Sequence, residues 1–172
     1  SWHKGTTPKP INWYAGKQYD DCIGAAHEVL RNFDKEFPRW NGRDYEIKGF
    51  AWWQGDKDRY VEAHAVNYEK NLVRLIKTLR AEFNVPKAKF VVATLGQTAK
   101  DAQPSNDKLI LDAQLSVDGA AGKYPEFKGN VSTVYTHPLS QGGASNSHYN
   151  GNAQTYMDVG LAMGEAMVEL LK

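Results

Sequence analysis

The sequence has one cysteine, no long apolar run and almost no excess of charge, and each shortage excludes a class of protein. A lone thiol, Cys22, makes no intrachain disulfide and cannot build a zinc site from cysteines. Placed on the apolar side of a helical pattern, it reads as an inert core residue. No stretch of ~18 consecutive apolar residues occurs, so no membrane span is expected. With 21 Lys and Arg against 20 Asp and Glu, the chain lacks the basic surplus that a nucleic-acid partner requires. Metal-ligand spacing of the H-E-x-x-H kind, a phosphate loop and a G-x-G-x-x-G turn are also missing, so neither a metal nor a cofactor is expected.

The 172 residues suffice for one domain, 1–172, burying about 70% of its unfolded surface without a staple. Five Trp and nine Tyr suit a packed core or stacking on sugar rings, core being the commoner use. Residues 1–16 are rich in Gly, Pro and Thr without periodicity and read as a loop or arm. They contain neither an initiator Met nor an apolar signal region, which reads like the interior of a longer chain.

Periodicity then organises the rest. Tyr19, Cys22, Ile23, Ala26, Val29, Leu30 and Phe33 keep helical spacing, predicting a helix from Lys17 to about Phe37 ended by Pro38. Glu46 to Trp53 is a short aromatic run read as a buried strand. A long helix follows over Tyr60 to Phe83. Lys89 to Leu95 and Val131 to Tyr135 are further strands, with helices at Asp107 to about Val117 and Ala153 to Leu171. Ser105 or Asn106 caps the former, and Asn150 or Asn152 the latter. Strands alternating with helices predict an α/β fold with a parallel sheet. In such folds ligands bind in loops after the carboxyl ends of strands, here 54–58 and 137–152.

Both loops carry candidate chemistry. In GFAWWQGDKDR a buried strand delivers Gln54, Gly55, Asp56 and Asp58 at its end. The Gln54 amide can donate to a developing oxyanion, and Gly55 permits close backbone approach. The bland alternative is a strand ending in a glycine turn, with Asp58 capping the next helix. In SHYNGNA, His148 is either a surface residue or a general base; His137, at a strand end, rivals it. His3, His27 and His64 have no partner spacing and read as surface or structural residues.

The run GFAWWQGDKD resembles the W-x-Q-G-E-x-D signature of sialate O-acetylesterase-like carbohydrate esterases, members of the SGNH hydrolase superfamily. The helix with NLVRLIKTLRAEF, the strand KFVVATLG and the block SHYNGNAQTYMDVGLAMGEAM keep the same register, over about 130 residues from Ile11. The resemblance implies a flavodoxin-like three-layer α/β/α sandwich with a central parallel sheet. It also implies removal of acetyl esters from glycans by serine acyl transfer, in the periplasm or outside the cell. Carried over, Gln54 and Gly55 match the oxyanion block and His148 the catalytic base. Asp56 stands where Glu is common, Asp58 matches the closing acid, and Lys57 replaces an Asn of the superfamily.

Two family features have no counterpart. No Gly-x-Ser block with a nucleophile precedes Gln54, and Ser145 occupies the position of the triad acid. The expectation is therefore a domain lacking its first βα unit, completed by an N-terminal segment or another chain that brings the serine. A non-catalytic scaffold or carbohydrate-binding module on the same fold is the alternative.

Overall fold

A computed structural model describes residues 16–40, 42, 44–141 and 148–172. The expected arm at 1–16 lies, Gly16 apart, outside the described residues, as do His3, Ser145 and Ser147. The chain divides into two compact units, Ser1–Tyr45 and Glu46–Lys172.

In the first unit, α1 (Lys17–Arg31) stops earlier than its periodicity predicts. Asn32 leaves the helical region, at φ −105° and ψ 25°, and its side-chain amide donates back to the Glu28 carbonyl at 2.9 Å. That local bond competes with the helical ladder, so a separate short helix, α2 (Phe33–Glu36), follows. Phe33 packs on the rings of Phe37, Trp40 and Tyr45. Cys22 is exposed, not core. Ile23 is the buried position of α1, and one residue earlier lies about 100° around the helix.

The second unit holds a parallel sheet of β1 (Gly49–Trp52), β2 (Lys89–Ala93) and β3 (Val131–Val134), in that order. Registers pair Phe50 with Phe90 and Phe90 with Val131. The central β2 explains its uninterrupted apolar sequence, because residues 90–93 are all fully buried. Phe90 and Val92 enter a core with Tyr68, Leu72 and Ile76 of α3 (Glu62–Glu82), Ile110 and Ala113 of α4 (Asn106–Ser116), and Val117 just after it. Val91 and Ala93 alternate to the opposite face of the strand. The last helix, α5 (Ala153–Leu171), packs on β2 and β3 and brings Met167 against Gly49.

Caps fix two helix starts. Ser105 Oγ accepts from the Lys108 N–H at 3.2 Å, and Asn152 Oδ1 accepts from the Thr155 N–H at 3.0 Å. The α/β class and the parallel sheet are as read from the sequence. No described helix is long and apolar enough to cross a membrane.

Candidate active site

The carboxyl ends of β1 and β2 open into a crevice of about 430 Å³. Gln54, Gly55, Asp56 and Lys57 form one wall, Leu95 and Gln97 the base of the sheet end, and His148 and Tyr149 the far side. Trp53 and Tyr156 add rings beside Tyr149, with Trp53 stacked on it at 5.8 Å between centroids. The structure thus brings Gln54, Gly55 and His148, nearly a hundred residues apart in sequence, to one cavity.

The first wall is held by its own side chains. Gln54 Nε2 donates to Asp58 Oδ2 at 2.7 Å, which leaves the second N–H of that amide for a ligand. Gly55 takes φ 138°, a region closed to L side chains, and its carbonyl accepts from the Asp58 N–H to close the turn. Asp58 therefore orients Gln54. It does not cap the next helix: α3 begins at Glu62 after Val61, which makes no side-chain cap. Asp56 pairs with Arg59 Nε at 2.9 Å, and Arg59 also reaches Asp107 at 3.2 Å. Burial works against the Arg59 charge, but the Asp56 hydrogen bond and the Asp107 charge outweigh it and raise its pKa.

The opposite wall is a left-handed turn. His148, Tyr149, Asn150 and Gly151 have φ of 51°, 55°, 52° and 67° in succession. For three residues carrying a Cβ this costs about 1–2 kcal/mol each, so the surrounding contacts must impose it. The Tyr149 hydroxyl accepts from the Gly96 N–H at 3.0 Å, and Tyr156 donates to the His148 carbonyl at 3.2 Å. Burial raises the Tyr149 pKa, keeping the hydroxyl neutral. Among the described residues, no carboxylate is hydrogen-bonded to the His148 imidazole. His137 is not in the crevice; its Nδ1 is bonded to the Gly96 carbonyl at 2.7 Å.

Three residues escaped the sequence reading. Tyr68 donates to the Gln54 carbonyl at 2.7 Å, Gln114 Nε2 donates to the same carbonyl at 2.9 Å, and Gln97 lines the cavity. Gln114 did leave a signal. It lies at i+4 from Ile110 and three before Val117, on the apolar face of α4, where a polar residue needs buried partners. No described serine lines the crevice.

A model of the carbohydrate esterase, sialic acid-specific acetylesterase family matches residues 2–169. No curated protein sequence matches. Among solved structures, a protein from Arabidopsis thaliana, determined by X-ray crystallography, is similar in fold, with a TM-score of 0.61 and 20% identity. The alignment covers 87% of this chain and 51% of that one, so the chain spans about half the length of its structural relative. With the family model running almost end to end, over residues 2–169, the chain belongs to the sialic acid-specific acetylesterase family of carbohydrate esterases.

Proposed function

We propose that the chain supplies the oxyanion donors and the general base of a serine carbohydrate esterase that removes O-acetyl groups from glycans. The observation that carries this reading is the convergence of Gln54, Gly55 and His148 on one crevice. A serine hydroxyl attacks the ester carbonyl while the His148 imidazole takes its proton. The free N–H of Gln54 and the Gly55 backbone N–H donate to the oxyanion. The tetrahedral intermediate then expels the sugar oxygen, which receives the proton from His148. Water, deprotonated in turn by His148, releases acetate from the acyl-enzyme.

The serine comes from a segment outside these 172 residues. Among the described strands β1 has a neighbour on one side alone, and that free edge runs into the Gln54 wall. A parallel strand added there ends at the crevice and delivers its last residues beside Gln54. The same βα unit completes a three-layer α/β/α sandwich and a single domain. Polymeric acetylated glycans place the reaction in the periplasm or outside the cell.

A second reading, a sugar-binding module without catalysis, draws on the Trp53, Tyr149 and Tyr156 rings at the crevice. The test is acetate release from acetylated glycans and aryl acetates by the full-length protein and its His148→Ala variant. The expected result is a fall in kcat of about 10³-fold or more. Undiminished hydrolysis by the variant would remove His148 from the mechanism. Binding of an acetylated glycan by a wild-type protein that releases no acetate would establish the second reading.

A further inference from the structure

We infer that Gln114 is a positioning residue, a buried amide wedge that parts the ends of β1 and β2 and so sets the oxyanion wall; this rests on the esterase reading above. The ladder between the two strands ends at the pair Trp52 and Val92. Just beyond it, the Gln114 side chain stands between the strand ends. Its Oε1 accepts from the Leu95 N–H at 3.0 Å, and its Nε2 donates to the Gln54 carbonyl at 2.9 Å. Leu95 and Gln54 are thereby bonded to an amide from α4 instead of to each other.

The orientation of this amide is fixed by its neighbours. Leu95 offers a donor and Gln54 an acceptor, so a flipped amide would meet like against like at both ends. Gln114 is fully buried, and no water is needed to satisfy it. Tyr68 adds a second donor to the Gln54 carbonyl at 2.7 Å and stands 3.4 Å from Gln114 Nε2. Burial raises the Tyr68 pKa, so this donor keeps its proton.

The wedge also lies beside the glycine. A Cβ on Gly55 would come within 3.1 Å of Ile110 Cγ2, 3.2 Å of the Tyr68 hydroxyl and 3.4 Å of Gln114 Nε2. The backbone of Gly55 and the carbonyl of Gln54, the two residues assigned to the oxyanion, thus share Tyr68 and Gln114 as neighbours. Gln114 itself does not line the crevice, so it acts through them.

Replacement by Glu separates this role from simple packing. An ionised carboxylate at 114 still accepts from Leu95 but repels the Gln54 carbonyl. A protonated one reproduces the donor and acceptor pattern of the amide. Burial raises a carboxyl pKa, so the switch falls in an accessible range.

The experiment measures kcat and KM of the full-length protein, with Gln114→Glu, Gln114→Leu and Tyr68→Phe, from pH 5.5 to 8, per folded molecule. For Gln114→Glu we expect kcat reduced about 10- to 100-fold at pH 8 with KM within about twofold. The ratio to wild type should recover as pH falls. Gln114→Leu should lose kcat without that recovery, and Tyr68→Phe should lose less. Unchanged kcat in all three variants, or a loss in Gln114→Glu that is the same at every pH, would overturn the inference. Leu95 amide exchange provides a readout that needs no catalysis. In Gln114→Glu it should exceed wild type at pH 8 and approach it at pH 5.5. That result in a protein inactive on esters would sink the esterase reading and leave the wedge standing. Equal exchange in both proteins at both pH values would sink the wedge.

Discussion

At Gly55 the backbone takes φ 138° and a Cβ would stand tightly against Ile110 and Tyr68. Strain and crowding act together, so Gly55→Ala should cost about 1–3 kcal/mol, read as a lowered urea midpoint at unchanged slope. A shift under about 0.5 kcal/mol would show that the loop relaxes freely. The neighbouring carboxylates have divided their work. Asp58 holds the Gln54 amide, while Asp56 is tied into the pair with Arg59. Their types were legible in the sequence, but which acid served which partner depended on the turn that Gly55 makes.

Among the elements, the left-handed turn at 148–151 is the one that periodicity could not announce, since successive positive-φ residues leave no repeating apolar pattern. It persists because Tyr149 and Tyr156 tie it down. Tyr149→Phe removes the acceptor for the Gly96 N–H and should cost about 1–3 kcal/mol. Faster exchange of the Gly96 amide in the variant is the accompanying signature. A second tie joins α3 to the short turn Pro125–Phe127. There Glu69 accepts from the Tyr124 hydroxyl and pairs with Lys123. Burial first, then the Glu69 hydrogen bond and charge, push Tyr124 from 10.0 up to about 12. The folded state therefore holds this proton more tightly than the unfolded chain does. Its contribution is intact below about pH 10 and is lost as pH rises through about 12. Between those values the wild-type urea midpoint should fall more steeply than that of Tyr124→Phe; parallel curves would show that Tyr124 does not couple to folding.

For the whole molecule, the sheet and the crevice make different demands. Phe90 and Ile76 are fully buried between sheet and helices, so Phe90→Ala should cost about 3–5 kcal/mol in chemical unfolding while leaving the crevice residues in place. The crevice, by contrast, is lined by Gln54, Gly55 and His148 and by no described serine. Labelling the full-length protein with a fluorophosphonate should give an adduct on a peptide outside these 172 residues. An adduct on Ser1, Ser105, Ser116, Ser132, Ser140, Ser145 or Ser147 would place the nucleophile within the chain and reject the completing segment.

The sequence by itself determined the alternation of strands and helices, the central strand and the family. These rest on local periodicity and on a short run, GFAWWQGDKD, whose residue types survive without their surroundings. It marked Gln54, Gly55 and His148, but left His137 as a rival and Cys22 as core. Only the tertiary structure shows what those side chains meet. His137 is bonded to the Gly96 carbonyl, Cys22 lies off the buried stripe of α1, and Gln114 joins two strand ends that precede it by 60 and 19 residues. For His137 and Gln114 the physical reason is the same. A polar side chain's role is set by which buried donor or acceptor it meets, and such partners are distant along the chain.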